Sequence, residues 1–354
     1  LILHFDVNET ILVGDPAGGD SFEECLNKIV AKSAFIKIPK DSKSKLYWYD
    51  DSPVINKLPA PPPPPLWTKW VWPKDCVPFY RSSRATKQLR KKFTDLVGVQ
   101  YKPVVEDMRD ALLWGTLDDN SIDERLLHKS QNEHHYLLPA FFKTISKLSA
   151  DNRTFSIVIR TFGSDSDDVF EALHAWCANL HPLSPNHLNI KPPTLDMVFQ
   201  GRYDDDDRFT LRRRSTGELI ADEDQVVRIL EGKHDDESQF VVIQDHYQHW
   251  ADGNYHPSCG KPLWITLNDD TTHHIFFDDN IHNIEDDAIV AVRQRRTRKD
   301  RFRALSGEET LELQGVHLVR VPTVEPILND NWFYEQIQRC ERNLAVKKEK
   351  SKQI

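Results

Sequence analysis

The sequence predicts an α/β protein: three layers built on a central, mostly parallel sheet. Three observations predict it. Short apolar runs rich in β-branched and aromatic residues recur along the chain, as in "LILHF", "FSIVIR", "FVVIQ" and "HIFF". Amphipathic stretches with helical spacing separate them. Several of the runs deliver a polar or acidic residue at their C-terminal end. Continuous apolar strands are buried on both faces, which is the pattern of a parallel sheet packed between other layers.

The first run, Leu1–Phe5, reads as a buried strand ending at Asp6. After a glycine-containing loop, Asp20 or Ser21 can cap a helix from Phe22 to Ala34, whose Phe22, Cys25, Leu26, Ile29 and Val30 share one face. Regular order resumes with a helix over Leu137–Leu148 and a strand over Thr154–Arg160 that ends at Thr161. Gly163-Ser164-Asp165 then leads into the helix "SDDVFEALHAWCANL". "LDMVFQGRY" and "RFTLRRR" flank Asp204–Asp207 and suggest a hairpin with an acidic tip, read as a solvated turn or a cation site. A short helix, "DEDQVVRILEG", precedes the strand "SQFVVIQD". Next come "CGKPLWITLNDD", the strand "HHIFFDD", the late strand "VHLVRV" and a closing helix with a basic tail.

Residues 37–136 differ from the rest and read as an insertion. They hold Pro59-Ala60-Pro61-Pro62-Pro63-Pro64-Pro65 and the aromatic cluster Trp67, Trp70 and Trp72. The proline tract is expected to be extended and on the surface, either as a stiff connector or as a ligand for an SH3, WW or profilin-type partner. Helices are expected near Thr86–Val97 and Val104–Trp114.

Composition bounds the function. With 354 residues there is ample material for a large core, and a net charge of -9 argues against a general nucleic-acid binder. Cys25, Cys76, Cys177, Cys259 and Cys340 are an odd, scattered set, as expected of reduced thiols. No apolar stretch approaches the ~18 residues of a membrane helix, and Leu1–Phe5 is too short for a signal peptide. The expectation is a soluble cytoplasmic protein, with a nuclear one left open.

The strand ends carry the chemistry. In a parallel sheet the C-terminal ends converge on one edge, so Asp6, Thr161 and Asp278-Asp279 are expected to meet there, with Lys261 from the loop between the last two strands. A carboxylate at such a place can attack phosphorus or carbon and form a covalent ester. A threonine hydroxyl and a lysine ammonium can hold the oxygens of a transferring phosphoryl group. An acidic pair near the nucleophile calls for a cation, and magnesium suits carboxylates, waters and phosphate oxygens.

In four stretches, taken in order, the sequence resembles the haloacid dehalogenase (HAD)-like superfamily of hydrolases: "FDVNETI", "SIVIRTFG", "GKP" and "IFFDDN". The resemblance implies a Rossmann-like core over 1–36 and 137–354, with 37–136 as a cap-type insertion beside the cleft. It implies that Asp6 is nucleophile and metal ligand, and that Asn8 offers its backbone carbonyl to Mg2+. Thr161 would bind phosphoryl oxygen, Lys261 would neutralise nucleophile and substrate, and Asp278 and Asp279 would position the metal. Thr10, Gly163, Asn280 and His282 are further candidates for substrate contact. The partner would be a phosphorylated small molecule or phosphoprotein.

Asn8 departs from the family's phosphatases, where an aspartate at this position protonates the leaving oxygen and then activates water. An amide does neither near neutral pH, and such a loss typically costs ~10²–10⁴-fold in rate. Three readings stay open. One is a magnesium-dependent phosphatase or phosphotransferase that is slow or restricted to good leaving groups. The second is a dehalogenase-like hydrolase, whose branch resembles "FDVNET" but has Ser-Ser-Asn at the fourth motif and uses no metal; Asp278-Asp279 argues against it. The third is a degenerate enzyme kept as a binding or scaffold protein.

Two further patterns remain. His246, His249, His256 and Cys259 are zinc-capable ligand types in an unfamiliar spacing, read either as a zinc site or as histidines lining the loop before Lys261. Residues 293–303, "RQRRTRKDRFR", carry seven basic side chains, read as a solvated face or an anion-binding segment.

Overall fold

A large sheet of eight strands organises the computed structural model, which describes residues 1–354 except 15–18, 56, 58, 60, 115–121, 130, 185–189, 233–237, 283–287 and 353–354. Numbered along the chain, its strands are β1 (Ile2–Asp6), β2 (Ser156–Thr161), β3 (Val198–Tyr203), β4 (Phe209–Arg213), β5 (Leu219–Ile220), β6 (Phe240–Gln244), β7 (His274–Asp278) and β8 (Leu318–Arg320). Their order is β8-β7-β1-β2-β6-β3-β4-β5. Pairing is parallel from β8 across to β3, and β4 and β5 close that edge antiparallel. The molecule is thus α/β with a mostly parallel sheet. The register sets Phe5 beside Phe277 and Asp6 beside Arg160, so β1, β2 and β7 end at one level.

The principal helices, also in chain order, are α1 (Phe22–Ser33), α2 (Lys102–Leu112), α3 (Pro139–Ala150), α4 (Ser166–Cys177), α5 (Glu223–Leu230) and α6 (Trp332–Lys352). One face of the sheet buries Leu3, Phe5, Ile157, Ile159, Val242 and Phe277 against α3, α4 and α6. The opposite face packs Val158, Val241 and Ile243 against α5, and Phe276 and Leu318 against a small second sheet. That sheet pairs Lys261–Thr266 in parallel with Val290–Arg295, which pairs in turn with Arg303–Ala304. Coverage of both faces is why alternate residues of β1 are all apolar or buried.

The insertion shares a core with α1. Trp48, Phe79, Phe93, Tyr101 and Met108 pack with Leu26, Ile29 and Val30 in one cluster. The expected helix at Thr86–Val97 is Arg84–Leu89 followed by a 3-10 stretch, Arg90–Asp95, in which Lys92 leaves helical geometry and Phe93 is buried. Pro61, Pro62 and Pro65 are exposed, but Pro64 is buried and its carbonyl accepts a hydrogen bond from the Tyr101 hydroxyl at 2.5 Å. The tract is therefore anchored near its end rather than lying wholly on the surface; its Ala60 lies outside the described residues. All five cysteines are free thiols. Among the described residues no helix is long and apolar enough to cross a membrane.

Candidate functional site

β1 ends in the middle of the sheet, with β2 and β7 on either side, so its last residue has neighbours from two other strand ends. Beyond Asp6 the chain turns tightly: the amides of Thr10, Ile11 and Leu12 all donate to the Val7 carbonyl at 3.0–3.2 Å, and Glu9 adopts a left-handed φ of 56°.

Asp6 is 7% exposed. The Lys261 ammonium donates to Asp6 Oδ1 and, at 3.0 Å, to Asp278 Oδ2. Thr10 Oγ1 donates to Asp6 Oδ2 at 3.1 Å and accepts from the Asp279 amide at 3.2 Å. Thr10, a candidate for substrate contact, is fully enclosed, and its hydroxyl ties the β1 turn to the β7 turn. Asn280 folds over the acidic pair, its amide donating to Asp278 Oδ1 at 2.8 Å and its side chain to Asp279 Oδ1 at 3.1 Å. Asp279 also meets Lys32, reaching in from α1.

A second group of bonds surrounds Asn8. Its Nδ2 donates to Asp165 Oδ2 at 2.9 Å, while its Oδ1 is buried without a partner among the described residues. Thr161 Oγ1 donates to the same Asp165 oxygen at 3.3 Å and accepts from the Gly163 amide at 3.0 Å. Thr161 is thus joined to Asn8 through Asp165. A Cβ on Gly163 would lie 2.3 Å from Asp165 Oδ2, so glycine there leaves the room this carboxylate occupies. Asp165 stands at the N-cap of α4 yet makes no capping bond, because its side chain is turned to Asn8 and Thr161. The sequence displays it only as a helix start. Arg160 and Asp245 are also invisible there: fully buried, they form a two-pronged ion pair at 2.9 and 2.6 Å, and Arg160 donates to the Pro262 carbonyl at 2.9 Å. That pins the residue after Lys261 to the end of β2.

His282 meets the insertion. Its ring lies 4.7 Å from that of Trp72, tilted by 40°, and its Nε2 lies 3.4 Å from Arg81 Nη1; it also lines a cavity of about 420 Å³ together with Val290 and Val292.

Burial pushes the Asp6 carboxyl well above the usual carboxylate range; Lys261 opposes this, and Asp278 and Asp279 add to it. Burial likewise raises Asp279 to about 6 against the pull of Lys32. Burial would lower Lys261, but Asp278 and Asp6 outweigh it and hold the ammonium above its ordinary value. Carboxylate oxygens of Asp6, Asp278 and Asp279 lie within 4.8 Å of one another. Three hard oxygen donors at this spacing fit a small divalent cation that keeps some of its waters.

Among the described residues this is the one group of three or more metal-capable side chains. The zinc reading is not supported: His246 accepts from the Tyr203 amide at 3.1 Å, His249 stacks on Tyr203, and His256 bonds Ser258, so the four do not surround one point. Of the basic run, Arg296, Lys299 and Arg301 are exposed, and the other four side chains are in ion pairs. Arg293 pairs with Glu223, Arg295 with Asp224, Arg298 with Glu231 and Asp269, and Arg303 with Glu309. The acidic tip is a turn in which Asp204 accepts from the amides of Asp206 and Arg208. No family model matches the chain, and no curated protein or solved structure matches it.

Proposed function

We propose that the chain is a HAD-like, magnesium-dependent phosphatase or phosphotransferase that works through an aspartyl-phosphate on Asp6. The observation that carries this reading is Lys261 bonded to both Asp6 and Asp278, three residues from separate strand ends gathered in a buried centre. Burying two carboxylates beside one ammonium is costly and adds little to stability, so such a group points to chemistry.

Each side chain has a task. Asp6 attacks phosphorus as the bond to the leaving oxygen breaks; Lys261 offsets part of the burial that disfavours its ionised form, and Thr10 aims its second oxygen. The Thr161 hydroxyl would exchange Asp165 for a phosphoryl oxygen. Asp6, Asp278, Asp279 and the Asn8 backbone carbonyl would hold magnesium, which supplies positive charge between carboxylates and phosphoryl group. Asn8 cannot move a proton, so its buried Oδ1 would only orient a hydroxyl or water. Substrates with good leaving groups are therefore favoured.

The test is a phosphatase screen with aryl, acyl and alkyl phosphates, with and without magnesium. Magnesium-dependent turnover of aryl or acyl phosphates is expected, with alkyl phosphates slower by ~10²-fold or more. Asp6→Asn should remove it, together with any phosphate adduct seen by mass after acid quench. Turnover that survives Asp6→Asn overturns the reading. The absence of both turnover and adduct favours the second reading, a degenerate HAD-like binding protein, for which the amide at Asn8 speaks.

A further inference from the structure

The turn after β1 contains a residue that its backbone does not favour. Glu9 sits at φ 56°, where a side chain crowds the following carbonyl and glycine is the ordinary choice. Its carboxylate is 4% exposed and bonds two ammoniums from one face of α1, Lys28 and Lys32. Lys32 bridges onward to Asp279 Oδ2. Lys28 has a second partner in Asp20 at 3.3 Å. A row of buried or half-buried charges thus runs Asp279–Lys32–Glu9–Lys28–Asp20, starting on one of the three carboxylates of the cation group. A strained residue held in this way points to a use for its side chain.

Lys32 and a divalent ion cannot both lie against the Asp279 carboxylate without strong repulsion in so dry a place. Nor can Asp279 stand uncompensated, because a buried carboxylate needs a counter-charge. We propose that Lys32, held by Glu9, is a built-in counter-cation that competes with a divalent metal for Asp279. In the metal-free state Lys32 closes the acidic group. In the metal-loaded state it withdraws onto Glu9, which spares it from becoming a bare buried ammonium. Glu9 is the anion that makes this exchange feasible, and that accounts for a glutamate where the backbone prefers glycine. The inference rests on the cation site read above, and it sets the metal concentration at which the centre is charged.

The experiment is magnesium titration by calorimetry on the full chain, comparing the native protein with Lys32→Gln and Lys28→Gln. Both variants remove a positive charge beside Glu9, but only Lys32 touches Asp279. Lys32→Gln should bind magnesium ~10-fold tighter, an ordinary size for coupled equilibria, and Lys28→Gln clearly less. Equal tightening in both variants would mean bulk charge alone and overturns the competition, as does native binding with no tightening in Lys32→Gln. Binding by none of the proteins removes the cation site itself and the competition with it. A second measurement uses only the native chain, in case Lys32→Gln folds poorly. Amine labelling read by mass spectrometry should find Lys32 several-fold more reactive once magnesium is bound, with Lys261 unchanged. Bound magnesium with unaltered Lys32 labelling overturns the proposal.

Discussion

Asn8 and Asp165 together decide what this centre can do with a proton. The amide hydrogen faces the carboxylate at 2.9 Å, an arrangement that works because one partner donates and the other only accepts. Asn8→Asp alone would set two carboxylates at that distance, so one must take up a proton or the turn must open. We expect it to lose about 1–3 kcal/mol of stability by urea denaturation and to gain little activity. The double variant Asn8→Asp/Asp165→Asn exchanges the roles and keeps the bond. It should restore the stability and raise alkyl-phosphate turnover by ~10²-fold or more, read as kcat. If the single variant is the more active and stable of the two, the side chain of Asp165 is not what positions residue 8.

At the scale of elements, β1, β7 and the entry to β8 carry a buried layer of imidazoles. His274 Nδ1 lies 3.2 Å from His4 Nε2, His317 Nδ1 lies 2.8 Å from the His274 carbonyl, and His273 Nε2 lies 2.8 Å from the Val316 carbonyl. Burial lowers His274 and His317 to about 3 and His273 to about 4. The unfolded chain takes up protons on these rings below pH ~6.5, whereas the folded one does not until near pH 4 or 3. Their contribution to stability is therefore full above ~6.5 and is lost as pH falls toward 4, at up to about 1.4 kcal/mol per pH unit for each ring. Asp6 and Asp279, raised by burial, act in the opposite sense at the acid end. Urea midpoints should fall between pH 7.5 and 5.5, and His317→Gln should flatten the slope. A midpoint unchanged across that range would mean the rings are already charged in the fold.

For the whole molecule, the question is whether the insertion stands apart. It does not pack as a separate body: Met108, Phe93 and Trp48 share one cluster with α1. Asn27 Oδ1 accepts from both the amide and hydroxyl of Thr94 at 2.8 and 2.7 Å, and Arg109 pairs with Glu23. Since α1 also carries Lys28 and Lys32, the insertion braces the helix that reaches the acidic group. Limited proteolysis within 37–112 is expected to give a nicked chain that holds together on gel filtration and releases no folded fragment. Met108→Ala, fully buried in that cluster, should cost about 2–5 kcal/mol and also loosen the ordered position of Lys32. A stable fragment, or a loss under 1 kcal/mol, would show the two parts to be independent.

The sequence by itself determined the elements and the order of the acidic strand ends. Apolar runs of the right length ended at Asp6, Thr161 and Asp278, and Asp20 or Ser21 marked the start of α1, which Ser21 caps in a box with Glu24. These are local matters, settled by periodicity, burial on both faces and the needs of free amides within a few residues. Lys261 was expected beside Asp6 from the sequence, but only the tertiary structure decided the bonds it makes and the other charge pairings. Lys261 reaches Asp6 across 255 positions, Lys32 reaches Asp279 across 247, and Asp165 leaves the helix it heads to meet Asn8 across 157. None of these pairings has a local signal, because an ammonium or carboxylate on a loop or helix face is compatible with solvent until the sheet order brings its partner near. The place of Lys261 follows from the parallel register of β1, β2 and β7 and from Arg160 holding the next residue. The left-handed turn at Glu9 and the room beside Gly163 have the same origin: backbone geometry that becomes necessary only once the neighbouring strands are in place.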